Sequence, residues 1–417
     1  CRQCAGHQQG AHRVRVRGLN MAKAVYVGVD SKARKMKKAY VGIDGTARKV
    51  KKMYIGDSSG KARLCYSAEL EYVGTATQLS KYRTQLAGTT VGGYALFGGG
   101  GYNGDAREGE AIMDAYNASL TRTTATSLSV ARQGLTAITL GNHALFVGGR
   151  RGSASFGTVD VYDASLTRTT AIELSVDRYD SAAAVVGSYA LFAGGRKHSV
   201  FAAMAQSAVD AYNTSLTRTT ATPLPSKTYA CAGGSVGGYA VFSGGSDMNT
   251  DSTLTDTIGG METVRTYDSS LTLGKAASMS CPRAVHSAAT IGDHLLFAGG
   301  YNHTTGKYLS TVDSYDTSLT RSTAVELSSA KIDLASATVG EYAMFAGGYK
   351  GDSDAAYVAT VDAYNTALTK TTMPDLSVGR HGLASAVIGD YALFAGGISK
   401  IQSTVDKYQD VVDVYSA

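Results

Sequence analysis

Apolar positions along this chain recur with the period of strands. Arg380 to Gly397 is the clearest stretch: Ala384 to Ile388 is a short run of small side chains, Gly389-Asp390 makes a two-residue turn, and Tyr391 to Ala395 alternates large and small residues. A Gly-Gly doublet follows, able to take positive φ and to let a neighbouring backbone approach closely. After a loop of variable length come Val-Asp-x-Tyr, as in Val159-Asp160-Val161-Tyr162, Val312 to Tyr315 and Val361 to Tyr364, and a Thr-rich segment such as Ser165 to Thr170. The pattern predicts four strands per unit.

The unit recurs seven times. The second glycines of the doublets, Gly100, Gly149, Gly195, Gly245, Gly300, Gly348 and Gly397, are 49, 46, 50, 55, 48 and 49 residues apart. Self-similarity at this period, with Thr, Val, Tyr and Gly abundant and no long helical apolar face, predicts an all-β seven-bladed propeller. The ends predict how it closes. After Gly397 the chain offers one more strand, in Thr404 to Tyr408 or Val411 to Tyr415, and no Thr-rich strand. Thr75 to Ser80 supplies the missing copy, matching Thr124 to Ser129, so one blade is expected to draw on both termini.

Residues 70 to 417 resemble the Kelch repeat family. The best copy is Pro282 to Ala289 followed by Gly292-Asp293-His294-Leu295-Leu296-Phe297-Ala298-Gly299-Gly300. Kelch blades usually carry a Trp on the last strand; this chain has none and places Thr there, which implies a different packing between blades.

Charge divides the chain. Residues 1 to 66 hold 16 Lys and Arg against Asp30, Asp44 and Asp57, a net of +13; with +6 overall, the remainder carries −7. We read residues 1–20 as a non-native upstream translation, because Arg17-Gly18-Leu19-Asn20 before Met21-Ala22-Lys23 looks like a ribosome-binding site and spacer read through. Cys1-x-x-Cys4 with His7 and His12 lacks a second Cys pair, so no metal or other cofactor is expected. The remaining Cys65, Cys231 and Cys281 make no disulfide framework and suit a reducing cytoplasm. Neither a membrane-spanning helix nor a secretory leader is expected.

Residues 21–66 form a basic arm with a shorter repeat: Tyr26 to Asp30, Tyr40 to Asp44 and Tyr54 to Asp57, interleaved with Ala33 to Lys38 and Ala47 to Lys52. The period predicts a thin β-meander that needs a partner surface or copies of itself. The arm resembles short basic repeats at the N-termini of tail and virion-surface proteins of phages and prophages of Gram-positive bacteria. That resemblance implies an anchor to phage structural proteins, a homo-oligomer through the arm, and residence on a virion assembled in the bacterial cytoplasm. The alternative location is the cytoplasm itself. The arm's charge suits nucleic acid or an acidic surface; nucleic acid is not expected on the propeller, residues 67–417.

Candidate chemistry lies in the propeller. Seventeen residues before each second glycine stand Arg83, Arg132, Arg178, Thr228, Arg283, Lys331 and Arg380, with Lys227 beside the exception. Rotation about the axis predicts a circle of positive charge at the start of the innermost strands. The Kelch resemblance implies that such arginines line a ligand-binding face, where their forks suit carboxylates and sulfates. The competing reading pairs each with an Asp of the adjacent blade, such as Asp180 or Asp333, or with loop carbonyls. Loops after the doublets add Arg150, Arg151, Arg196, His198, Tyr301, His303 and Tyr349, since variable loops on a fixed scaffold carry recognition. The repeated Asp114, Asp160, Asp210, Asp313 and Asp362 are expected to cap turns, and Arg122, Arg168, Arg218, Arg321 and Lys370 to guard an outer edge against strand addition.

No catalytic triad, paired-carboxylate signature, phosphate loop or metal spacing recurs, so catalysis is not expected. The leading expectation is a non-enzymatic module on a phage tail or virion surface that binds host cell-surface glycan. The alternatives are an intracellular Kelch adaptor holding an acidic peptide and a funnel enzyme resembling sialic-acid mutarotases.

Overall fold

A computed structural model describes residues 69–417 except 103–108, 199–202, 248–259, 352–355 and 403–404, and strand pairing within 26–67. The chain divides into two compact units, one within residues 1–70 and the other Glu71–Ser416. Residues 1–20 lie outside the described residues. In the arm three hairpins pair Tyr26–Val29 with Lys32–Lys35, Tyr40–Ile43 with Thr46–Lys49, and Lys52–Gly56 with Ala62–Ser67. Among the described residues no pairing joins one hairpin to the next, so the expected meander is resolved into separate two-stranded units.

Residues Glu71–Ser416 form seven four-stranded antiparallel sheets, the blades of a propeller. The inner strands are Ala87–Val91, Thr136–Leu140, Ala182–Val186, Ala232–Val236, Ser287–Ile291, Ala335–Val339 and Ala384–Ile388. Small side chains suit these strands because all seven converge on the axis. Their hydroxyls bond from blade to blade: Ser336 Oγ donates to Ala288 O at 2.6 Å and Thr338 Oγ1 to Thr290 O at 2.8 Å. The second strands, such as Tyr391–Ala395, are buried along nearly their whole length, as a strand covered on both faces must be.

The doublet does more than turn the chain. Gly397 has φ +109°, and a Cβ there would sit 2.7 Å from His381 O. With that space left open, Gly397 N donates to Arg83 O at 2.9 Å, and each second glycine repeats this bond to the next blade, from Gly100 to Arg132 through Gly348 to Arg380.

Tyr packs between blades. The Tyr of Val-Asp-x-Tyr stands edge-on to the Phe of the second strand, as in Phe192 and Tyr212 at 5.9 Å, and its hydroxyl donates to the linker leaving the preceding blade, Tyr212 to Ile172 O at 2.7 Å. All seven blades make both contacts, Phe97/Tyr116 through Phe394/Tyr415. An aromatic pair contributes about 0.5–1.5 kcal/mol and a neutral hydrogen bond about 1 kcal/mol.

The last blade closes the circle from both ends: Val412–Ser416 pairs with Tyr391–Ala395 on one side and with Glu71–Thr75 on the other. Tyr72 Oη donates to Asp413 Oδ1 at 2.7 Å. Of the two segments expected after Gly397, the later is the blade strand; Val405–Tyr408 pairs with Ile398–Gln402 in a side hairpin.

Candidate functional site

The repeated cation is buried, which corrects its reading as a ligand-binding ring. Arg83, Arg132, Arg178, Arg283, Lys331 and Arg380 are each 0 % exposed. Arg132 gathers backbone carbonyls around the doublet: Nη2 donates to Phe146 O at 3.1 Å, Nε to Gly148 O at 2.7 Å and Nη1 to Val130 O at 3.0 Å. Arg380 repeats the set on Phe394, Gly396 and Val378.

The counter-charge comes from the third strand of the same blade, not from Asp180 or Asp333. Arg83 meets Asp114 at 2.8 Å, Arg132 meets Asp160 at 2.9 Å, Arg178 meets Asp210 at 2.8 Å and Arg380 meets Asp413 at 2.7 Å; Arg283 pairs with Asp313. Asp114, Asp160, Asp210 and Asp313 each also take a second cation from the outer strand, as Asp160 does Arg168 at 3.0 Å, while Asp413 takes the Tyr72 hydroxyl there, so those outer arginines are internal partners as well as edge charges. Backbone amides complete the carboxylate's shell, for example Ser175 N on Asp210 at 3.2 Å. The Asp thus accepts from the linker between blades, 31–36 residues away, rather than capping a turn of its own, and in four blades it anchors two cations. Lys331 donates to Thr360 O at 3.1 Å, and burial pushes its ammonium down to about 8 against the pull of Asp362. Lys227 alone of the proposed ring is exposed, beside the buried Thr228.

The residue one step past the cation takes the place expected for the ring. Tyr179 bridges to Arg196, Ile332 to Tyr349, Ala284 to Tyr301 and Gln133 to Arg150, each pairing a strand start with the residue after a doublet. The next residue has left-handed φ in every blade: Gln85, Gly134, Asp180, Ala230, Val285, Asp333 and Gly382. Their backbones link neighbouring blades, Gln85 N to Gly382 O at 3.1 Å, Gly134 N to Gln85 O at 3.0 Å and Asp180 N to Gly134 O at 2.9 Å, with Val285 N on Ala230 O at 2.9 Å and Asp333 N on Val285 O at 3.2 Å beyond. In antiparallel blades the connection into the first strand and the one after the second emerge on the same face. The rim and the variable loops share it.

Two side-chain groups stand on that rim. In the first, Arg150 and Arg196 lie over the Tyr179 ring at 5.1 and 4.9 Å, Arg196 also over Tyr229 at 4.4 Å, and His198 stacks on Tyr179 at 5.7 Å and 12°. Asp180 holds Arg196 at 2.5 Å. In the second, Tyr301 meets His303 at 4.9 Å and Tyr308 at 5.2 Å, Tyr349 meets Tyr357 at 5.7 Å and His381 at 5.3 Å, and His381 Nδ1 lies 2.7 Å from Asp333. Partial burial lowers the His303 imidazole. The loop candidates thus gather into these two groups, except Arg151, which is exposed beside Arg150. Tyr179, Tyr229, Tyr308, Tyr357 and His381 belong with them and were not singled out from the sequence. Their signal was adjacency: Tyr179 and His381 directly follow the repeated cation.

Among the described residues no group of three His, Cys, Asp or Glu could hold a metal ion, and no helix is long and apolar enough to cross a membrane. Comparison of the chain with protein-family models gives no match, and comparison with curated protein sequences gives none either.

Proposed function

We propose that the propeller is a non-catalytic recognition module of Kelch type, carried on a phage tail or virion surface by its basic arm, and that it binds host cell-surface glycan on the rim. The carrying observation is the gathering of Tyr179, Arg196 and His198, and of Tyr301, Tyr349 and His381, on one face of a rigid frame. Flat aromatic faces suit the apolar faces of sugar rings, and a fixed guanidinium suits their carboxylates or sulfates. Burial of the repeated cations removes the feature that favoured an intracellular adaptor for acidic peptides.

The Arg196–Asp180 pair supports the second reading, a funnel enzyme on an acidic sugar, since an arginine and a carboxylate stand together at the rim. A glycan array with washed protein tests the first reading, and proton NMR of a bound sugar's anomers tests the second. Capture without anomer interconversion is expected, falling at least tenfold in the Arg196→Ala, His198→Ala double variant at unchanged melting temperature. Capture of no glycan, or equal capture by the variant, overturns the assignment to this rim.

A further inference from the structure

With blades counted in the order of their inner strands, the junction of blades four and five is built unlike the other six. At each junction the doublet of one blade lies against the residue three places after the repeated cation of the next. A Cβ on Gly99 would sit 2.7 Å from Leu135, one on Gly347 3.0 Å from Leu383, and one on Gly244 2.8 Å from the His286 imidazole. That place holds Leu86, Leu135, Leu334 and Leu383 in four blades, and Ser181, Cys231 and His286 in the rest. The residue before the doublet is Gly98, Val147, Ala193, Ala298, Ala346 or Ala395 elsewhere, and Ser243 here. Ser243 Oγ and His286 Nε2 lie 2.7 Å apart, a polar contact from blade four to blade five where the other junctions put glycine or an apolar side chain on the first side.

Both residues are buried, and the imidazole stands edge-on to Phe297 at 5.8 Å. Its Nδ1 is buried without a hydrogen-bond partner. The neutral imidazole therefore carries its proton on Nε2 and donates to Ser243 Oγ, since the other tautomer would bury an N–H with no acceptor. A second proton has to go to Nδ1, where nothing accepts it. Among the described residues the charged group that acts on the imidazole is Arg283, itself paired with Asp313. Burial first, and the Arg283 charge second, hold His286 well below its ordinary value. We propose that the junction of blades four and five is an acid-sensitive seam, where the circle opens locally when His286 takes up a proton. The seam lies between Tyr229 of the first rim group and Tyr301 of the second, so opening it changes the spacing of the two groups. Its existence does not depend on what the rim binds.

Hydrogen exchange in the full chain reads the seam directly. The Gly245 amide donates across it to Arg283 O, and the Gly348 amide makes the same bond to Arg380 O between blades six and seven. If the closed form stays neutral and the open form regains the ordinary histidine value of 6.5, the open fraction rises about 25-fold from pH 7 to pH 5. Protection of Gly245 relative to Gly348, each corrected for its intrinsic exchange rate, is expected to fall by that factor. In the double variant Ser243→Ala, His286→Leu, which installs the pair found as Ala346 and Leu383, the ratio should hold within about twofold. No fall in the wild type, an equal fall at both amides, or an undiminished fall in the variant overturns the proposal. If the variant does not fold, ¹⁵N spectra of the wild-type histidines decide. A His286 imidazole that stays neutral to pH 5 while Gly245 loses protection upholds the seam, and one that protonates near pH 6.5 with Gly245 still protected overturns it.

Discussion

Lys331 offers the most direct measure of what a buried cation costs this fold. Burial lowers its ammonium from 10.5 to about 8, and Asp362 only partly offsets the effect. Each tenfold change in proton affinity is worth about 1.4 kcal/mol, so the charged lysine costs the folded protein on the order of 3 kcal/mol. In the folded protein the proton leaves near pH 8, while the unfolded chain holds it to about 10.5. Between those values the unfolded state binds more protons, and stability contributed by this group rises with pH. Wild type and Lys331→Met should be compared by guanidinium denaturation at pH 7.5, 8.5 and 9.5. The variant is expected to be at least as stable as wild type at pH 7.5, because an apolar replacement avoids the burial cost. By pH 9.5 the wild type should gain roughly 2 kcal/mol relative to the variant, from the portion of that window crossed. Cys231, raised by burial to about 11, and the buried tyrosines act oppositely at the alkaline end but equally in both proteins. A difference between the two that stays flat or falls from pH 7.5 to 9.5 would refute the reasoning.

Two other outcomes test the frame. Asp160→Ala leaves Arg132 buried without its counter-charge and should cost about 3–5 kcal/mol in denaturant titrations, whereas Arg151→Ala on the exposed loop should change stability by no more than about 0.5 kcal/mol; equal effects would mean that the pair is not what holds the blade. Deleting residues 1–66 should leave the propeller's melting temperature unchanged, while deleting 1–76 removes the strand paired with Val412–Ser416 and should give an aggregating product by size-exclusion chromatography; an intact, monomeric product from the longer deletion would show that the closing strand is dispensable.

The blades were legible because their marks are backbone requirements. A Gly-Gly doublet with positive φ, a two-residue hairpin turn and a Tyr at fixed spacing cannot be moved without breaking the unit, so they stand out at a constant period. The direction of the repeated cation was not legible from its period, because rotation about an axis repeats an inward side chain as faithfully as an outward one. Its partner was nonetheless visible. The third-strand Asp accompanies the cation in the other six blades, and in blade four both change together, to Thr228 and Arg265. Joint change is the mark of contact. The rim escaped for a different reason: the place held by Tyr179, Tyr229 and His381 holds Thr84, Gln133, Ala284 and Ile332 in the other blades, so a search for what recurs passes over it.

Closure by Glu71–Thr75 also sets a schedule for making the protein. Tyr72 and Asp413 are separated by 341 residues, and at about 5–20 residues per second the early strand waits roughly 17–70 s for its partner to be synthesised. During translation Glu71–Thr75 therefore waits as an unmated β-edge until Val412–Ser416 is made.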